Sequence, residues 1–326
     1  MINRRVFLKN SLKTSAVLGM GSLILPACSD GSKSTDATAT DSTTAPATAA
    51  SNAMPASLAA IGLQLYTVRE QMDQDTKGTL QKVADIGYKN MEIAAGSKGH
   101  YYGMKPAELA SMMKDLGLTL RSGHVLAGGQ TQQEAPLPAS MLTLTNGTQQ
   151  LVDMAAEAGQ EYLVCAYMFP SEYNTLDGLK RTMETLSKAG EACQKAGVQF
   201  CYHNHDFEFS QQYDGKTMYE MMLEQLDPEQ VKYELDLYWV SKSNQDPVAW
   251  FEKYPGRFPL WHVKDMDNTE KKFFTEVGNG TIDFKRIFEN ADKSGMKYYF
   301  VEQDQTPGNP LESIATSYQN LTQLLA

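Results

Sequence analysis

Residues that can bind a metal or move a proton come in short, tight groups along this chain. The stretch YHNHDFEF, residues 202–209, holds two of the five histidines, His203 and His205, and two carboxylates, Asp206 and Glu208. Glu92 lies in NMEI, His124 in RSGHV and Asp236 in YELDLYW. His262, Lys264 and Asp265 lie in LWHVKD, and Glu302 lies in FVEQDQ. Imidazole suits transition-type divalent ions, while carboxylate suits Mg2+ or Mn2+. A mixed set with open positions can bind a substrate's adjacent oxygens and act as a Lewis acid. A carboxylate or amine beside it can then move a proton on carbon next to a carbonyl.

These groups need a scaffold that brings them together. A helix tail, a glycine and an apolar or β-branched run recur at Gly87, Gly117, Gly159, Gly197 and Gly295. The glycine suits the left-handed position that closes a helix, and the run after it has strand composition. Helical spacing precedes it, as in Leu109, Met112, Met113 and Leu116 before Gly117. AIGLQLYTV, VKYELDLYWV and PLWHVKDMD read as strands without the glycine, which brings the expected number to that of a (β/α)8 TIM barrel. No G-x-G-x-x-G follows the first strand, which argues against a dinucleotide-binding sheet. In such a barrel the reactive face is the C-terminal end of the strands. Four of the histidines fall at such ends, and only His100 falls in an expected loop. Alternation along the strand points His203 and His205 the same way. Any one histidine is more often structural than a ligand. Polar residues concentrated at one end of many strands are harder to account for so, because burying them unpaired costs several kcal/mol.

Net charge is −10, which argues against a nucleic-acid surface. Cys165, Cys193 and Cys201 show no C-x-x-C and read as small buried hydrophobes, with a Cys165–Cys201 bridge left open. The N-terminus has the form of an export signal: Arg4 and Arg5, a short apolar run, then LPAC ending at Cys28. It resembles a twin-arginine signal and a lipoprotein cleavage site, implying a lipid on Cys28 and a periplasmic, membrane-anchored protein. The Ser/Thr/Ala-rich segment 29–57 reads as a tether that cannot bury enough surface to fold. The folded domain is expected over 58–326.

GLQLYTVR, YHNHDFEF, ELDLYW, HVKD and VGNGTIDF together resemble the xylose isomerase-like barrels, the sugar phosphate isomerases and epimerases. The resemblance implies one divalent cation (Mn2+, Mg2+, Co2+ or Zn2+) in the barrel mouth. It also implies isomerisation, epimerisation or dehydration of a sugar through an enediolate. In the better-known epimerases the ligands are Glu, Asp, His and Glu on strands 5 to 8. Asp236, His262 and Glu302 match the last three, and His203 stands where the first glutamate would be. That departure removes one of the two opposed glutamates of the epimerase mechanism and makes a lyase or hydratase of a 3-keto-sugar or inosose a serious competitor. Glu302 is expected both to ligate and to exchange the substrate's proton, with His203 as ligand and possible base. Lys264 is expected to hold the enediolate oxygen or, alternatively, to pair with Glu234 or Glu302. Glu92, His124, His205 and Trp239 are expected to contact the sugar. VGNGTIDF could cradle phosphate on glycine amides, but reads better as a turn followed by a helix capped by Asp283. With no Lys/Arg cluster at the strand ends, an unphosphorylated sugar is favoured, without nucleic acid and with oligomerisation possible. A third reading is a non-catalytic sugar-binding lipoprotein with aromatic platforms at Tyr238 and Trp239.

Overall fold

The computed structural model describes residues 60–128 and 141–326. The expected signal, the Cys28 lipid site and the tether lie outside the described residues. Eight strands, β1 (Gly62–Gln64), β2 (Asn90–Ile93), β3 (Thr119–Leu126), β4 (Tyr162–Tyr167), β5 (Gln199–His203), β6 (Val231–Asp236), β7 (Leu260–Val263) and β8 (Tyr298–Val301), form a closed barrel. All neighbours pair in parallel, and β1 closes the ring by pairing with both β2 and β8. Eight principal helices, one after each strand, complete the (β/α)8 architecture: α1 (Thr76–Ile86), α2 (Pro106–Asp115), α3 (Leu144–Glu157), α4 (Leu176–Ala196), α5 (Met218–Gln225), α6 (Pro247–Lys253), α7 (Phe284–Glu289) and α8 (Pro310–Leu324). Among the described residues, no helix is long and apolar enough to cross a membrane.

Helix α4 shows how the repeat works. The Thr175 hydroxyl accepts from the Gly178 N–H at 3.0 Å and starts the helix. Leu179, Met183, Leu186, Ala189 and Cys193 are buried at three- and four-residue spacing. Each large apolar side chain so buried contributes about 1.5–3 kcal/mol. The helix ends at Gly197, where φ is +73°, and the Val198 N–H returns to Cys193 O at 2.9 Å. The chain then enters β5 directly.

Alternation divides each strand. Leu63, Met91, Phe200, Tyr202, Tyr233, Leu235, Trp261, Val263, Tyr299 and Val301 join the large core under the helices. Tyr162, Val164, Cys201, Leu260 and Phe300 form a second, smaller apolar cluster on the opposite parity, the floor of the barrel interior. Two residues further along those strands the same parity carries His203, His262 and Glu302.

Three strands are shorter than their sequence runs suggest. After Gln64 the chain turns into a 3-10 helix, Leu65–Val68, because Gln64 Oε1 accepts from the Tyr66 N–H at 3.0 Å. After Asp236 it turns into the helix Leu237–Lys242, because Asp236 Oδ1 accepts from the Trp239 N–H at 2.9 Å. After Val263 the chain leaves the barrel, and Asp265–Met266 pairs antiparallel with Phe274–Thr275. The three cysteines are free and buried, so no Cys165–Cys201 bridge exists. Their strand partners explain this: Cys165 pairs with Tyr202 and Cys201 with Val164, so the two thiols project to opposite sides of the sheet.

Candidate metal centre at the barrel mouth

The site is built on His262, the inward residue near the end of β7. It is fully buried and reaches carboxylates on both its nitrogens. Nδ1 lies 2.7 Å from Glu302 Oε2. Nε2 lies 2.6 Å from Glu92 Oε1 and 3.1 Å from Glu234 Oε2. The register that allows this sets Asp236 beside His262 and Glu234 beside His203 on adjacent strands.

Glu234 Oε2 is the second hub. It also lies 2.8 Å from His124 Nε2 and 3.0 Å from His203 Nδ1. Edges of three imidazoles from β3, β5 and β7 thus meet one carboxylate oxygen. Glu92 is held in turn by Gln64, whose Nε2 donates to Glu92 Oε1 at 2.9 Å, and His124 Nε2 stands 3.1 Å from the same oxygen. Glu92 Oε2 and Glu234 Oε1 are buried without a hydrogen-bond partner.

Outside this layer stands Lys264. Its Nζ meets Glu302 Oε2 at 2.6 Å, Asp304 Oδ1 at 2.8 Å and Asp236 Oδ2 at 2.9 Å. The expected pairing of Lys264 with Glu302 is therefore present. Its other carboxylates are Asp236 and Asp304, not Glu234.

Two overlapping groups of donor atoms result, each within 4.8 Å of one another: His124, His203, Glu234 and His262, and then Asp236, His262 and Glu302. Of the four ligands implied by the resemblance, Asp236, His262 and Glu302 fall in one group, and His203 falls with His262 in the other. Asp236 Oδ2 lies 3.6 Å from His203 Nε2 and 3.9 Å from His262 Nδ1. Glu92 and His124, expected to contact the sugar, take part in the histidine network. His205 lies beyond the end of β5, in an aromatic rim. Its ring centre is 5.0 Å from that of His203, 5.5 Å from that of Trp239 and 5.6 Å from that of Phe207. From the sequence, Glu234 reads only as a possible partner of Lys264, and Asp304 and Gln64 are not singled out. Glu234 and Asp304 carry a signal, since each lies two residues from a chosen carboxylate and shares its parity.

Burial and charge pull these groups apart. Burial alone would raise Glu92, but the charges and hydrogen bonds of His124 and His262 outweigh it and hold its carboxyl well below the usual range. Glu302 is likewise lowered, against burial, by Lys264 and His262. Burial would lower His124, but Glu92 and Glu234 raise it to about 9, and Glu234 and Glu302 raise His262 well above its ordinary value. Burial, then neighbouring positive charge, pushes His203 well down. Burial lifts Asp236 to about 6 in spite of Lys264. Lys264 is held well above its usual value because Asp236, Asp304 and Glu302 overcome its burial.

The glycine loop holds a carboxylate, not a phosphate site. Gly278 and Gly280 N–H groups donate to Asp265 Oδ2, both at 2.9 Å, and the Ile282 N–H donates to Oδ1 at 3.2 Å. Asp283 caps α7 by accepting from the Arg286 N–H at 3.1 Å.

This barrel with a His/carboxylate mouth matches a family model described as xylose isomerase-like TIM barrel over residues 80–323, and the chain belongs to that family. It is similar to a sugar phosphate isomerase/epimerase of Parabacteroides distasonis, 28% identical with a TM-score of 0.63, over 85% of this chain and 98% of that one. It is also similar to the inosose dehydratase of Lacticaseibacillus casei, 27% identical over 157 residues, 42% of this chain and 52% of the relative. The chain thus spans about half the length of that curated relative. The IOLI protein, solved with a bound zinc atom, shares the fold at 12% identity and a TM-score of 0.61, over 82% of this chain and 98% of that one.

Proposed function

We propose that this chain is a divalent-metal-dependent sugar isomerase or epimerase that works through an enediolate on an unphosphorylated sugar or keto-sugar. The observation that carries this reading is the meeting of imidazoles and carboxylates from β3, β5, β6, β7 and β8 around His262, with two carboxylate oxygens left unpartnered. The donor set fits a divalent cation, held among His203, Asp236, His262, Glu302 and their neighbours His124 and Glu234. Such an ion would supply Lewis-acid polarisation of the substrate's adjacent oxygens. Glu302, at the open end of β8, takes the proton from carbon beside the carbonyl and returns it. The Lys264 ammonium neutralises the negative oxygen that develops, and His203 serves as ligand and second base. His205 and Trp239 offer the rim on which the sugar ring rests. The carboxylates crowded round one lysine favour a substrate without phosphate.

The second reading, a lyase or hydratase acting on a 3-keto-sugar or inosose, is favoured by the inosose dehydratase relative and by His203 in place of a glutamate. Both readings begin with the same proton transfer. Incubation with Mn2+ in D2O and a panel of aldoses, ketoses, inososes and 3-keto-glycosides, followed by product NMR, separates them. Deuterium on the carbon beside the carbonyl with all hydroxyls kept supports the isomerase or epimerase. Loss of a hydroxyl supports the dehydratase. No exchange with any member, in a protein that binds sugar without metal, would leave the non-catalytic sugar-binding lipoprotein. We further propose export by the twin-arginine route and a lipid on Cys28. Arg4→Lys with Arg5→Lys should hold the protein in the cytoplasm, and unchanged export would remove that route.

A further inference from the structure

We propose that the cation sits one layer deeper than the family resemblance implies, on His124 Nε2, His203 Nδ1, His262 Nε2 and Glu234 Oε2. Asp236 and Glu302 then act as orienting partners of the histidines rather than as ligands. This inference rests on the metal reading above and concerns which residues of the mouth hold the ion.

Three relationships point to the inner set. The first is convergence. His124, His203 and His262 approach Glu234 Oε2 at 2.8, 3.0 and 3.1 Å from three directions. Four ligands about 2.0–2.2 Å from a tetrahedral ion stand roughly 3.4 Å from one another, so small outward movements would admit one. Glu234 is fully buried, and its Oε1 has no partner.

The second is what lies behind each ring. A ligating histidine commonly gives its other N–H to a carboxylate, which fixes its tautomer and aims its lone pair. His262 Nδ1 faces Glu302 Oε2 at 2.7 Å while its Nε2 faces the inner set. His203 Nε2 faces Asp236 Oδ2 at 3.6 Å while its Nδ1 faces the inner set. Of the two carboxylates that the resemblance makes ligands, Glu302 thus backs one inner imidazole at hydrogen-bond distance, and Asp236 stands behind a second at ion-pair distance.

The third is charge. Asp236 Oδ2 and Glu302 Oε2 already share the Lys264 ammonium, and an ion between them would stand beside a fixed positive charge. Among the described residues, no lysine or arginine pairs with Glu234 or Glu92, whose oxygens face two imidazole edges in common. Imidazole protons or a cation bound in their place would balance these two carboxylates. A site of three imidazoles and one carboxylate selects Zn2+, Co2+ or Fe2+ over Mg2+, which prefers oxygen.

The test is made on the full-length chain loaded with Zn2+ and dialysed, with metal content and zinc-edge X-ray absorption as readouts. Three imidazoles per zinc are expected in the wild type. His124→Ala and Glu234→Gln should each lower zinc affinity by at least roughly 100-fold, while Asp236→Asn and Glu302→Gln weaken it only about 10–100-fold. Two imidazoles per zinc, with His124→Ala fully loaded, would overturn the inner set while leaving the metal reading intact. Failure of the wild type to bind Zn2+, Co2+, Mn2+ or Mg2+ would overturn both. Should a variant fold poorly by circular dichroism, the imidazole count of the wild type decides alone.

Discussion

Lys264 Nζ stands 2.6 Å from Glu302 Oε2, and both side chains are buried in the barrel mouth. Asp236 and Asp304 complete a three-carboxylate cradle around the same ammonium. Lys264 is thus the fixed counter-charge of the mouth, whatever it does for a substrate. Lys264→Met leaves three carboxylates to one another's repulsion, and breaking a buried pair from one side costs about 3–5 kcal/mol. A fall in thermal midpoint on the order of 10 °C is expected. Lys264→Met combined with Asp304→Asn should recover part of the loss, since it removes one of the stranded charges. A Lys264→Met variant as stable as the wild type, but slow, would mean the lysine serves chemistry alone.

The Asp265 carboxylate organises the loop that follows the outer hairpin. It accepts from three loop amides and from the Met266 N–H at 2.8 Å. Each charge-assisted bond of this kind is worth about 1.5–3 kcal/mol. Asp265→Asn turns one oxygen into a donor that faces donors. A loss of roughly 2–4 kcal/mol in urea unfolding is expected, with faster amide exchange at 278–282. Gly280→Ala should act similarly, because a Cβ there would lie 2.2 Å from Asp265 Oδ1 and 2.4 Å from Met266 O. Slow amide exchange retained in both variants would refute this account of the loop.

How much of this was legible beforehand follows from what is local. The helix–glycine–strand repeat exposed the barrel because each unit carries its own stop signal, as at Gly197. Parity then placed His203, His262, Lys264 and Glu302 inside it. Strand ends were less legible, because single side chains decide them: Gln64 and Asp236 turn their strands into helices by capping them. The company that Glu92 and His124 keep was not legible. It depends on closure of the ring, which carries β2 and β3 across the interior to β6 and β7. Glu234 reads from the sequence only as a possible partner of Lys264, because it sits one inward step below Asp236, where an apolar floor residue is the ordinary expectation.

Glu208 gives a pH dependence separate from the metal centre. It accepts from the Tyr202 hydroxyl at 2.6 Å and from the His205 N–H at 2.8 Å, yet burial outweighs both and raises its carboxyl to about 8. Folded Glu208 therefore keeps its proton to near pH 8, while the unfolded chain releases it near the ordinary value of 4.5. Between those values the unfolded state binds fewer protons, so this group makes stability fall as pH rises. Glu208→Gln, neutral throughout, should flatten the slope and gain on the wild type by a few kcal/mol at pH 9 relative to pH 5. Urea midpoints across that range measure it, and parallel profiles for the two proteins would refute it.

The charge balance of the mouth also predicts a preference among substrates. Glu92, Glu234, Asp236, Glu302 and Asp304 lie around one buried ammonium, which already meets three of them. The rim cation Lys242 sits 4.7 Å over the Trp239 ring, and its Nζ donates to Tyr238 Oη at 3.0 Å. A phosphate charge about 8 Å from an unneutralised carboxylate costs roughly 2 kcal/mol at an effective dielectric of 20. Histidine protons or a bound cation offset some of the negative charge, but neither leaves a donor directed at phosphate. For a matched pair of free and phosphorylated ketoses, kcat/KM should favour the free sugar by at least roughly tenfold at low salt. Added salt should narrow the gap, since screening acts on the part of the interaction exposed to solvent. A phosphorylated substrate preferred at low salt would show that Lys242 or another rim cation turns inward to meet it, and would remove the argument that this mouth is built for a neutral sugar.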